Sequence, residues 1–455
     1  MPLRQSLLDG LITPELSVLD YGCGKGQDVA RLNKMSIDAL GWDPHFAPDT
    51  PLVPREVVLL NYVLNVIEDP QERRDVVARA WTLTTKAMVV SCRLQWERSS
   101  VNGTELNDGI VTSRNTFQHF FAPRELRDLV ESITGSKCIS PVPGVVYAFR
   151  RDEDRFAYLA RGAIVEFDWT APEDYASAIA EVIAFAESRG RPPLFEEIPV
   201  DLLPQLGALS RRSLLELVAK GASPERVAEG FKRSTLDTLL YLGTSIFSGR
   251  PSLVDLPLGV QADVRNCFKT YREACARADR LLSKIRDDSY IRGAMQNSPG
   301  KMTAAAFYVH QRAVDKIAVV LRLYEHCGFV AAGRPEGWNI LKLEHRGRRV
   351  SWSSYPAFDA DPHPTLDWTY GVDMTSLSAS FQRFGDRSNR PLLHRKEEFL
   401  DPNDPNVQKY QRLTAAEVRA GLYRNPTIIG LENGWESELQ RCGVALQGHR
   451  VLKRK

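Results

Sequence analysis

The stretch SVLDYGCGKGQDVARL, residues 17–32, decides the fold of the first part of the chain. An apolar run that predicts a strand ends in three alternate glycines, Gly22, Gly24 and Gly26, and a run that predicts a helix begins at Gln27. Glycines at such a place let the backbone approach a ligand closely at the amino end of a helix. The pattern therefore predicts an α/β domain with a ligand site at this turn.

Two acidic residues indicate which ligand the turn binds. Asp20 lies two residues before Gly22, and Asp43 ends the next predicted strand, where it is placed to accept hydrogen bonds from both ribose hydroxyls of a nucleoside cofactor. Dinucleotides and S-adenosylmethionine are the two cofactor classes that fit such a turn. The dinucleotide spacing G-x-G-x-x-G fails because position 27 is glutamine, whereas Asp20 suits the ammonium group of S-adenosylmethionine.

The segments that follow resemble class I methyltransferases. NYVLNVIEDPQER, from residue 61, resembles the segment in which a strand ends in a polar residue, which makes Asn61 and Tyr62 candidates for cofactor contact. TFQHFFAPRELRDLVESITG resembles a later helix of the same families. Only 13 residues separate Asp43 from Val57, too few for the usual extra strand and helix. We therefore expect a trimmed Rossmann-like domain whose adenine pocket is built either by residues 44–54, where His45 and Phe46 are candidates for stacking on the base, or by the second half of the chain.

Periodicity along the chain predicts three domains. Short apolar runs alternate with amphipathic runs over residues 1–152, which predicts the Rossmann-like methyltransferase domain. Residues 153–330 show apolar spacings of three and four and predict a helical domain. Residues 331–455 contain a predicted hairpin, further strands and a last helix, and predict an α+β region packed with the helical domain.

Composition places the chain among ordinary globular proteins. It has 455 residues, 43% of them hydrophobic and 25% charged, and a formal net charge of +2. The seven cysteines are dispersed without a C-x-x-C pair, and no stretch of about 18 apolar residues occurs. We expect a soluble cytoplasmic protein with reduced thiols and no membrane association.

Candidate acceptor-binding and catalytic residues lie in two other segments. The [DN]-P-P-[YFW] motif of base amino-methylation and the Pro-Cys of cytosine-C5 methylation are both absent. No histidine has metal-ligand spacing, so we expect no metal site. Residues 95–121 and the later passages SYPAFDADPHP and PLLHRKEEFL supply general-base candidates, His119, His363 and His394, and acceptor-binding candidates, Arg114, Gln118, Asp359, Asp361 and Arg395.

Nearly the whole chain resembles the bacterial methyltransferases associated with DNA phosphorothioation. The resemblance includes DYGCGKGQD and GWDPHFAPDTPL early on, and PGKMTAAAFYVHQRAV, SYPAFDADPHP and LLHRKEEFL later. It implies S-adenosylmethionine as cofactor and Asp20, Gly22, Gly24 and Asp43 as residues that bind it. It also implies association with a DNA-modification system, and it leaves the methyl acceptor unidentified.

The sequence is also compatible with two other functions. A small-molecule methyltransferase of biosynthesis would use the same scaffold, and an acidic or apolar acceptor pocket would favour it. A basic groove would favour a nucleic acid, and residues 301–350 contain nine Lys and Arg against four Asp and Glu. The second alternative is a cofactor-binding subunit without turnover, because no general base is evident near Asn61.

Overall fold

The computed structural model describes residues 2–206 and 210–453. They form two compact units, one built from Met1–Ala148 together with Ile285–Lys455 and the other from Phe149–Lys284. The chain thus leaves the first unit, builds the second and returns to the first.

The amino-terminal part of the first unit alternates strands and helices. Its strands are β1 (Val18–Tyr21), β2 (Ala39–Trp42), β3 (Arg55–Asn61), β4 (Thr84–Ser91), β5 (Gly103–Leu106), β6 (Gly109–Thr112), β7 (Phe117–His119) and β8 (Val145–Phe149). Its helices are α1 (Pro2–Leu8), α2 (Gln27–Lys34), α3 (Pro70–Thr82) and α4 (Pro123–Thr134), with short 3₁₀ turns at Leu64–Val66 and Gln95–Ser100. Helix α3 begins at Pro70 because the Asp69 side chain accepts a hydrogen bond from the Gln71 N–H and proline suits the first turn of a helix.

Five of these strands form one sheet in the order β2-β1-β3-β4-β8. β1 is parallel to both β2 and β3, and β3 is parallel to β4. Because β1 lies between β2 and β3, the strand order reverses there, and open α/β sheets bind ligands in the crevice beyond the carboxyl ends of such strands. The fold is therefore Rossmann-like, with its crevice beside the glycine turn.

Helices α2 and α3 cover opposite faces of the sheet. The sheet residues Leu19, Tyr21 and Leu60 belong to one buried cluster with Val77 and Trp81 of α3. On the other face, the backbone of β2 approaches α2 closely, since a Cβ atom at Gly41 would lie 2.8 Å from a methyl carbon of Val29. The segment 43–54 contains no helix. The trimmed connection that the sequence predicts is thus present.

The second unit is helical. Its helices are α5 (Asp152–Ala163), α6 (Tyr175–Arg189), α7 (Leu203–Leu206), α8 (Arg211–Gly221), α9 (Pro224–Ser245), α10 (Leu258–Cys267) and α11 (Tyr271–Lys284), with 3₁₀ turns at Phe195–Glu197, Ile246–Ser248 and Leu253–Asp255. Helix α9 packs along α6, and Gly190 and Gly230 permit this contact because an added Cβ atom at either would meet backbone within 2.4 Å.

The carboxyl-terminal part of the first unit centres on an antiparallel sheet in the order β14-β13-β12-β11-β10-β9. The elements are α12 (Asp288–Gln296), β9 (Lys301–Met302), β10 (Ala306–His310), α13 (Val319–Ala332), β11 (Ile340–Glu344), β12 (Arg349–Ser354), β13 (Trp368–Asp373), β14 (Ala379–Arg383), α14 (Val407–Ala420), α15 (Glu432–Arg441), β15 (Val444–Leu446) and β16 (Val451–Lys453), with 3₁₀ turns at Gln311–Lys316 and Lys396–Phe399. Helix α13 packs on this sheet, where Gly328 allows close contact with Val350 and Trp352.

The two parts of the first unit contact each other through side chains and loops. The Arg127 guanidinium donates a 2.7 Å hydrogen bond to the Val330 carbonyl, and the Arg334 N–H bonds to the Pro141 carbonyl. Trp96 stacks on Phe381 of the edge strand β14, with ring centroids 6.2 Å apart. The segment 95–121 is therefore held against the second sheet.

The structure differs from the predicted domain boundary at residue 330. The predicted helical domain reaches 330, but β10 pairs residue by residue with β11, so residues 301–310 belong to the antiparallel sheet. Apolar spacing alone does not distinguish a short buried strand followed by a helix from one longer helix.

Candidate functional site

The glycine turn between β1 and α2 has a backbone that only glycine adopts readily. Gly22, Gly24 and Gly26 have φ angles of 86°, 52° and 71°, all in the left-handed region. A Cβ atom at Gly22 would lie 2.5 Å from Cγ2 of Val63, so this glycine is required for packing. Cβ atoms at Gly24 and Gly26 would meet nothing within 4 Å, so at these positions the backbone faces open space.

Asp20 is a buried carboxylate beside this turn. Only 5% of the residue is exposed, and within residues 2–206 and 210–453 no hydrogen-bond donor or cation contacts its carboxylate. Burial, together with the nearby charges of Asp28 and Asp43, raises its pKa to about 7. A buried carboxylate without a partner is costly, so a cationic ligand group would stabilise it.

Asp43 is held by the backbone of the turn. Its Oδ1 accepts hydrogen bonds from the N–H groups of His45 and Phe46, both at 2.9 Å, and its Oδ2 accepts one from Gly24 at 3.0 Å. Burial raises the pKa of Asp43, but these three bonds outweigh burial and hold the pKa below its usual value. A carboxylate offers about four acceptor positions. One is left on Oδ2, so Asp43 can accept one ribose hydroxyl rather than the two expected from the sequence.

Asn61 ends β3, and Tyr62 follows it directly. The Oδ1 atom of Asn61 accepts a hydrogen bond from the Ser91 hydroxyl at 3.1 Å, while its buried Nδ2 has no partner among the described residues. Tyr62 is 45% exposed and has a left-handed φ of 59°, and its N–H is fixed by the Ser91 carbonyl. At this strand end, an amide nitrogen without a partner among the described residues lies beside an exposed ring on a strained, left-handed backbone, and this combination is typical of a ligand site.

A cavity of about 470 Å³ opens at the carboxyl ends of β1, β2 and β3. Its lining includes the last residue of each strand, Tyr21, Trp42 and Asn61, followed by Gly22, Asp43 and Tyr62. The charged groups in the lining are three carboxylates and one guanidinium, those of Asp43, Glu72, Asp75 and Arg79. The cavity is therefore acidic and suits a ligand that carries positive charge or amino groups.

Tyr21, Trp42 and Arg79 were not predicted as site residues. The rings of Tyr21 and Trp42 lie 4.7 Å apart, and the Arg79 guanidinium lies 5.8 Å above the Trp42 ring. Trp42 is half-buried because the short segment 43–54 places no helix over the end of β2. The signal in the sequence was an aromatic residue at the end of each of two neighbouring strands, one directly before Asp43. His45 and Phe46, the candidates for stacking on the base, are exposed and are not part of the cavity lining.

His119, a predicted general base, is buried with both ring nitrogens occupied. Nδ1 lies 2.7 Å from the Asp108 carbonyl and Nε2 lies 3.2 Å from a Glu125 carboxylate oxygen, while Arg73 fixes the Asp108 side chain. His119 therefore has no free nitrogen to receive a proton from an acceptor, which corrects the prediction. Arg114 is exposed in the β6–β7 turn and Gln118 lies in β7. The cavity lining contains none of these three side chains.

The two predicted catalytic histidines of the carboxyl-terminal part lie in its interior. His363 Nε2 is 2.6 Å from Oε1 of the buried Glu417, and the His394 ring donates from Nε2 to the Ile429 carbonyl at 2.6 Å. Their ring centroids are 4.4 Å apart, and burial, followed by the charge of His363, lowers the pKa of His394 to about 3. These rings form part of a packed core with Trp435, away from the cavity lining.

The three acceptor-binding candidates nearby also have internal partners. Asp359 pairs with Arg312 and accepts from the Tyr410 hydroxyl at 2.7 Å. Asp361 accepts from the His363 N–H, and Arg395 pairs with Glu398. The structure thus does not bring these candidates to the cavity. Within the described ranges no cluster of three or more potential metal ligands occurs, and no described helix is long and apolar enough to span a membrane.

Comparisons with known proteins give distant structural likenesses. No protein-family model and no curated protein matches the sequence. The 1,6-didemethyltoxoflavin-N1-methyltransferase of Burkholderia thailandensis, crystallised with S-adenosylhomocysteine, is similar at 15% identity over 32% of this chain and 77% of that chain, with a TM-score of 0.25. Magnesium protoporphyrin IX methyltransferase from Synechocystis PCC 6803 is similar at 15% identity over 33% of this chain and 80% of that chain, with a TM-score of 0.24. A sugar N-methyltransferase from Streptoalloteichus sp. ATCC 53650 is similar at 12% identity over 33% of this chain and 85% of that chain, with a TM-score of 0.25. With TM-scores this low, the assignment of the site depends on its own geometry.

Proposed function

We propose that the chain is a class I methyltransferase that binds S-adenosylmethionine in the cavity beside the glycine turn. The observation that carries the proposal is the buried, unpartnered Asp20 next to a turn whose backbone is open at Gly24 and Gly26. The ammonium group of the cofactor is the partner that Asp20 lacks, and the open space at Gly24 and Gly26, beside the amino end of α2, leaves room for its carboxylate.

The acidic cavity favours this cofactor over a dinucleotide. A pyrophosphate brought to Asp20, Asp43 and the carboxylates of the cavity would meet like charge, whereas a sulfonium and an ammonium would meet opposite charge. Asp43 supplies one acceptor position for a ribose hydroxyl, and the rings of Tyr21 and Trp42 offer apolar surface for the base.

The cofactor supplies an electrophilic methyl group when it is bound. This chain's own residues hold and orient the reactants, and positioning of this kind accounts for much of the rate of a transfer reaction. The unpaired Asn61 Nδ2 and the exposed Tyr62 ring face the same strand end and are our candidates for orienting the acceptor. The finer assignment, to the methyltransferases associated with DNA phosphorothioation, rests on the sequence resemblance, and the acceptor is a nucleic acid or a small molecule.

Calorimetric titration of the purified protein with S-adenosylmethionine, S-adenosylhomocysteine and NAD tests the proposal. We expect both sulfur nucleosides to bind and NAD not to bind. Asp43→Asn should weaken S-adenosylhomocysteine by about tenfold, since a hydrogen bond to a charged group is lost. Asp49→Asn, an exposed carboxylate in the same segment, is the matched control and should change nothing. Binding of NAD in preference to the sulfur nucleosides would overturn the proposal.

A second candidate function is a cofactor-binding subunit without turnover. It is favoured by one observation, that none of the three histidines proposed as bases lines the cavity. Incubation with methyl-labelled S-adenosylmethionine and fractionated extract distinguishes the two functions. Label transferred by the wild type and lost in Asn61→Ala, with cofactor affinity retained, supports an enzyme. Cofactor binding without transfer to any fraction supports the subunit.

A further inference from the structure

The cavity beside the glycine turn covers only part of the cofactor site. Its lining includes Gly22 and Asp43, whereas Asp20, Gly24 and Gly26 are not part of it. In the proposed function, on which this inference rests, the amino-acid end of the cofactor contacts Asp20 and the turn, and its ribose contacts Asp43. The base is attached to the opposite end of the ribose, so the base is the part of the cofactor that enters the cavity.

Helix α3 supplies one wall of this cavity. Four of its residues line the cavity at spacings of three and four, Glu72, Asp75, Val76 and Arg79. Residues with these spacings lie on one face of a helix. The segment 43–54, which contains no helix, adds only Asp43 and Pro44 to the lining. Apart from Asp43, the charged side chains that face the base therefore all come from α3.

A second wall is aromatic. The rings of Tyr21 and Trp42 lie 4.7 Å apart, and the Arg79 guanidinium lies 5.8 Å from the centre of the Trp42 ring. Burial raises the pKa of Tyr21, and the positive charge of Arg79 opposes this rise, so Arg79 acts on both rings. Aromatic rings of this kind offer a flat apolar surface on which any base can pack, so they do not distinguish one base from another.

The Glu72 carboxylate is the acceptor of the α3 wall that is free for a ligand. Within residues 2–206 and 210–453 no hydrogen bond or ion pair engages this carboxylate. Asp75 already accepts a hydrogen bond from the Gln71 amide at 2.8 Å, and the Arg79 guanidinium can only donate. An ionised carboxylate accepts and does not donate. Glu72 thus requires an N–H or O–H group on the part of the ligand that it meets.

We propose that Glu72 selects a 6-aminopurine by accepting a hydrogen bond from the exocyclic amino group of the base. Adenine presents this amino group as a donor, whereas a 6-oxopurine such as hypoxanthine presents a carbonyl oxygen at the same position. A carbonyl oxygen brought to Glu72 would place two acceptors against each other and leave the carboxylate without its bond. The specificity for the base then comes from α3, and not from the short segment that follows β2.

Calorimetric titration of the full chain with two nucleosides tests the proposal. The ligands are S-adenosylhomocysteine and S-inosylhomocysteine, which carries a carbonyl oxygen in place of the amino group. We expect the wild type to bind S-adenosylhomocysteine about tenfold more tightly, because a hydrogen bond to a charged group is lost with the other ligand. Equal affinities would overturn the role of Glu72 and leave the proposed function standing. Binding of neither ligand would overturn both.

A variant of Glu72 locates the selection to this side chain. Glu72→Gln should bind S-adenosylhomocysteine about three- to tenfold more weakly and S-inosylhomocysteine no more weakly, because the new amide can donate to the carbonyl oxygen. Glu225→Gln, at an exposed glutamate in the first turn of α9, is the matched control for the loss of a charge at a helix end. It should leave both affinities unchanged. Wild-type discrimination between the two ligands in folded Glu72→Gln would contradict the assignment.

Discussion

The buried carboxylate of Asp20 affects both the stability of the unliganded protein and its affinity for a cationic ligand. Burial, with the charges of Asp28 and Asp43, raises its pKa to about 7 from an ordinary value of 3.8. Between these two values the folded protein holds a proton that the unfolded chain has released, so the free energy of unfolding falls as the pH rises through this window. A cation bound beside Asp20 would reverse that loss.

Asp20→Asn should therefore stabilise the unliganded protein near neutral pH. The rise in the pKa of Asp20 corresponds to a gain in the free energy of unfolding of roughly 4 kcal/mol at most for the variant. This gain is complete above the raised pKa. Thermal unfolding without ligand, measured from about pH 4 to pH 8, should show the wild type losing stability with rising pH relative to the variant. Asp49→Asn is the control. Parallel profiles for wild type and Asp20→Asn would contradict a raised pKa at this residue.

We expect His119 to have a structural role and not to act as a general base. Burial lowers its pKa, but the hydrogen bonds to Glu125 and to the Asp108 carbonyl outweigh burial and raise it above its ordinary value. The stabilisation from the protonated ring is thus complete below the ordinary pKa and is lost as the pH rises through the raised value. His119→Gln should cost about 1–2 kcal/mol of stability, more at acidic than at alkaline pH.

The same variant should bind S-adenosylhomocysteine with unchanged affinity, measured by calorimetry, because His119 is not part of the cavity lining. A large loss of affinity in a variant that keeps its fold would show that His119 acts at the site. The sequence identified Asp20 and the glycines because their spacing is local. It could not reveal that Asp108 and Glu125 occupy His119, since those contacts form only when separate segments pack.

Among the elements, the turn between β1 and α2 contains glycines that are required for two different physical reasons. Gly22 avoids a clash with Val63, whereas Gly24 avoids only backbone strain and leaves open space for a ligand.

The pairing of strands explains why the sequence placed β10 in the helical domain. Residues 306–310 form a strand because β11 pairs with them, and this partner lies beyond the helix that follows, outside the reach of local periodicity.

Gly24→Ala should separate stability from binding. It should cost about 1–2 kcal/mol of stability, the strain of a left-handed alanine, and should abolish measurable S-adenosylhomocysteine binding because the new methyl group occupies the open space. Gly135→Ala is the matched control, since Gly135 has a φ of 71°, nothing within 4 Å of an added Cβ, and a place at the end of α4. We expect equal melting temperatures and a difference only in calorimetric affinity. Retained binding in Gly24→Ala would place the ligand elsewhere.

At the scale of the whole molecule, the first unit is discontinuous in sequence. Residues from both parts contact each other through the Arg127 guanidinium, the loop around Pro141 and the Trp96 ring. The sequence suggested an independent first domain because its α/β pattern ends near residue 150. No local pattern could show that the chain returns after residue 284 to complete the same unit.

A fragment of residues 1–152 should consequently be less stable than the full chain. Removal of residues 285–455 exposes Trp96 and leaves the Arg127 side chain without its carbonyl partner. We expect the fragment to melt at a lower temperature in differential scanning calorimetry. A fragment that melts as high as the full chain would show that its two parts do not depend on each other.

The central claim is that Asp20 and the glycine turn bind the amino-acid end of S-adenosylmethionine. Its most direct test is calorimetric titration of wild type and Asp20→Asn with two ligands, S-adenosylhomocysteine and 5′-methylthioadenosine, which lacks the amino-acid group. We predict that the variant weakens S-adenosylhomocysteine by about tenfold or more and leaves 5′-methylthioadenosine unchanged, because only the former carries an ammonium. Equal effects on both ligands, or none on either, would contradict the claim.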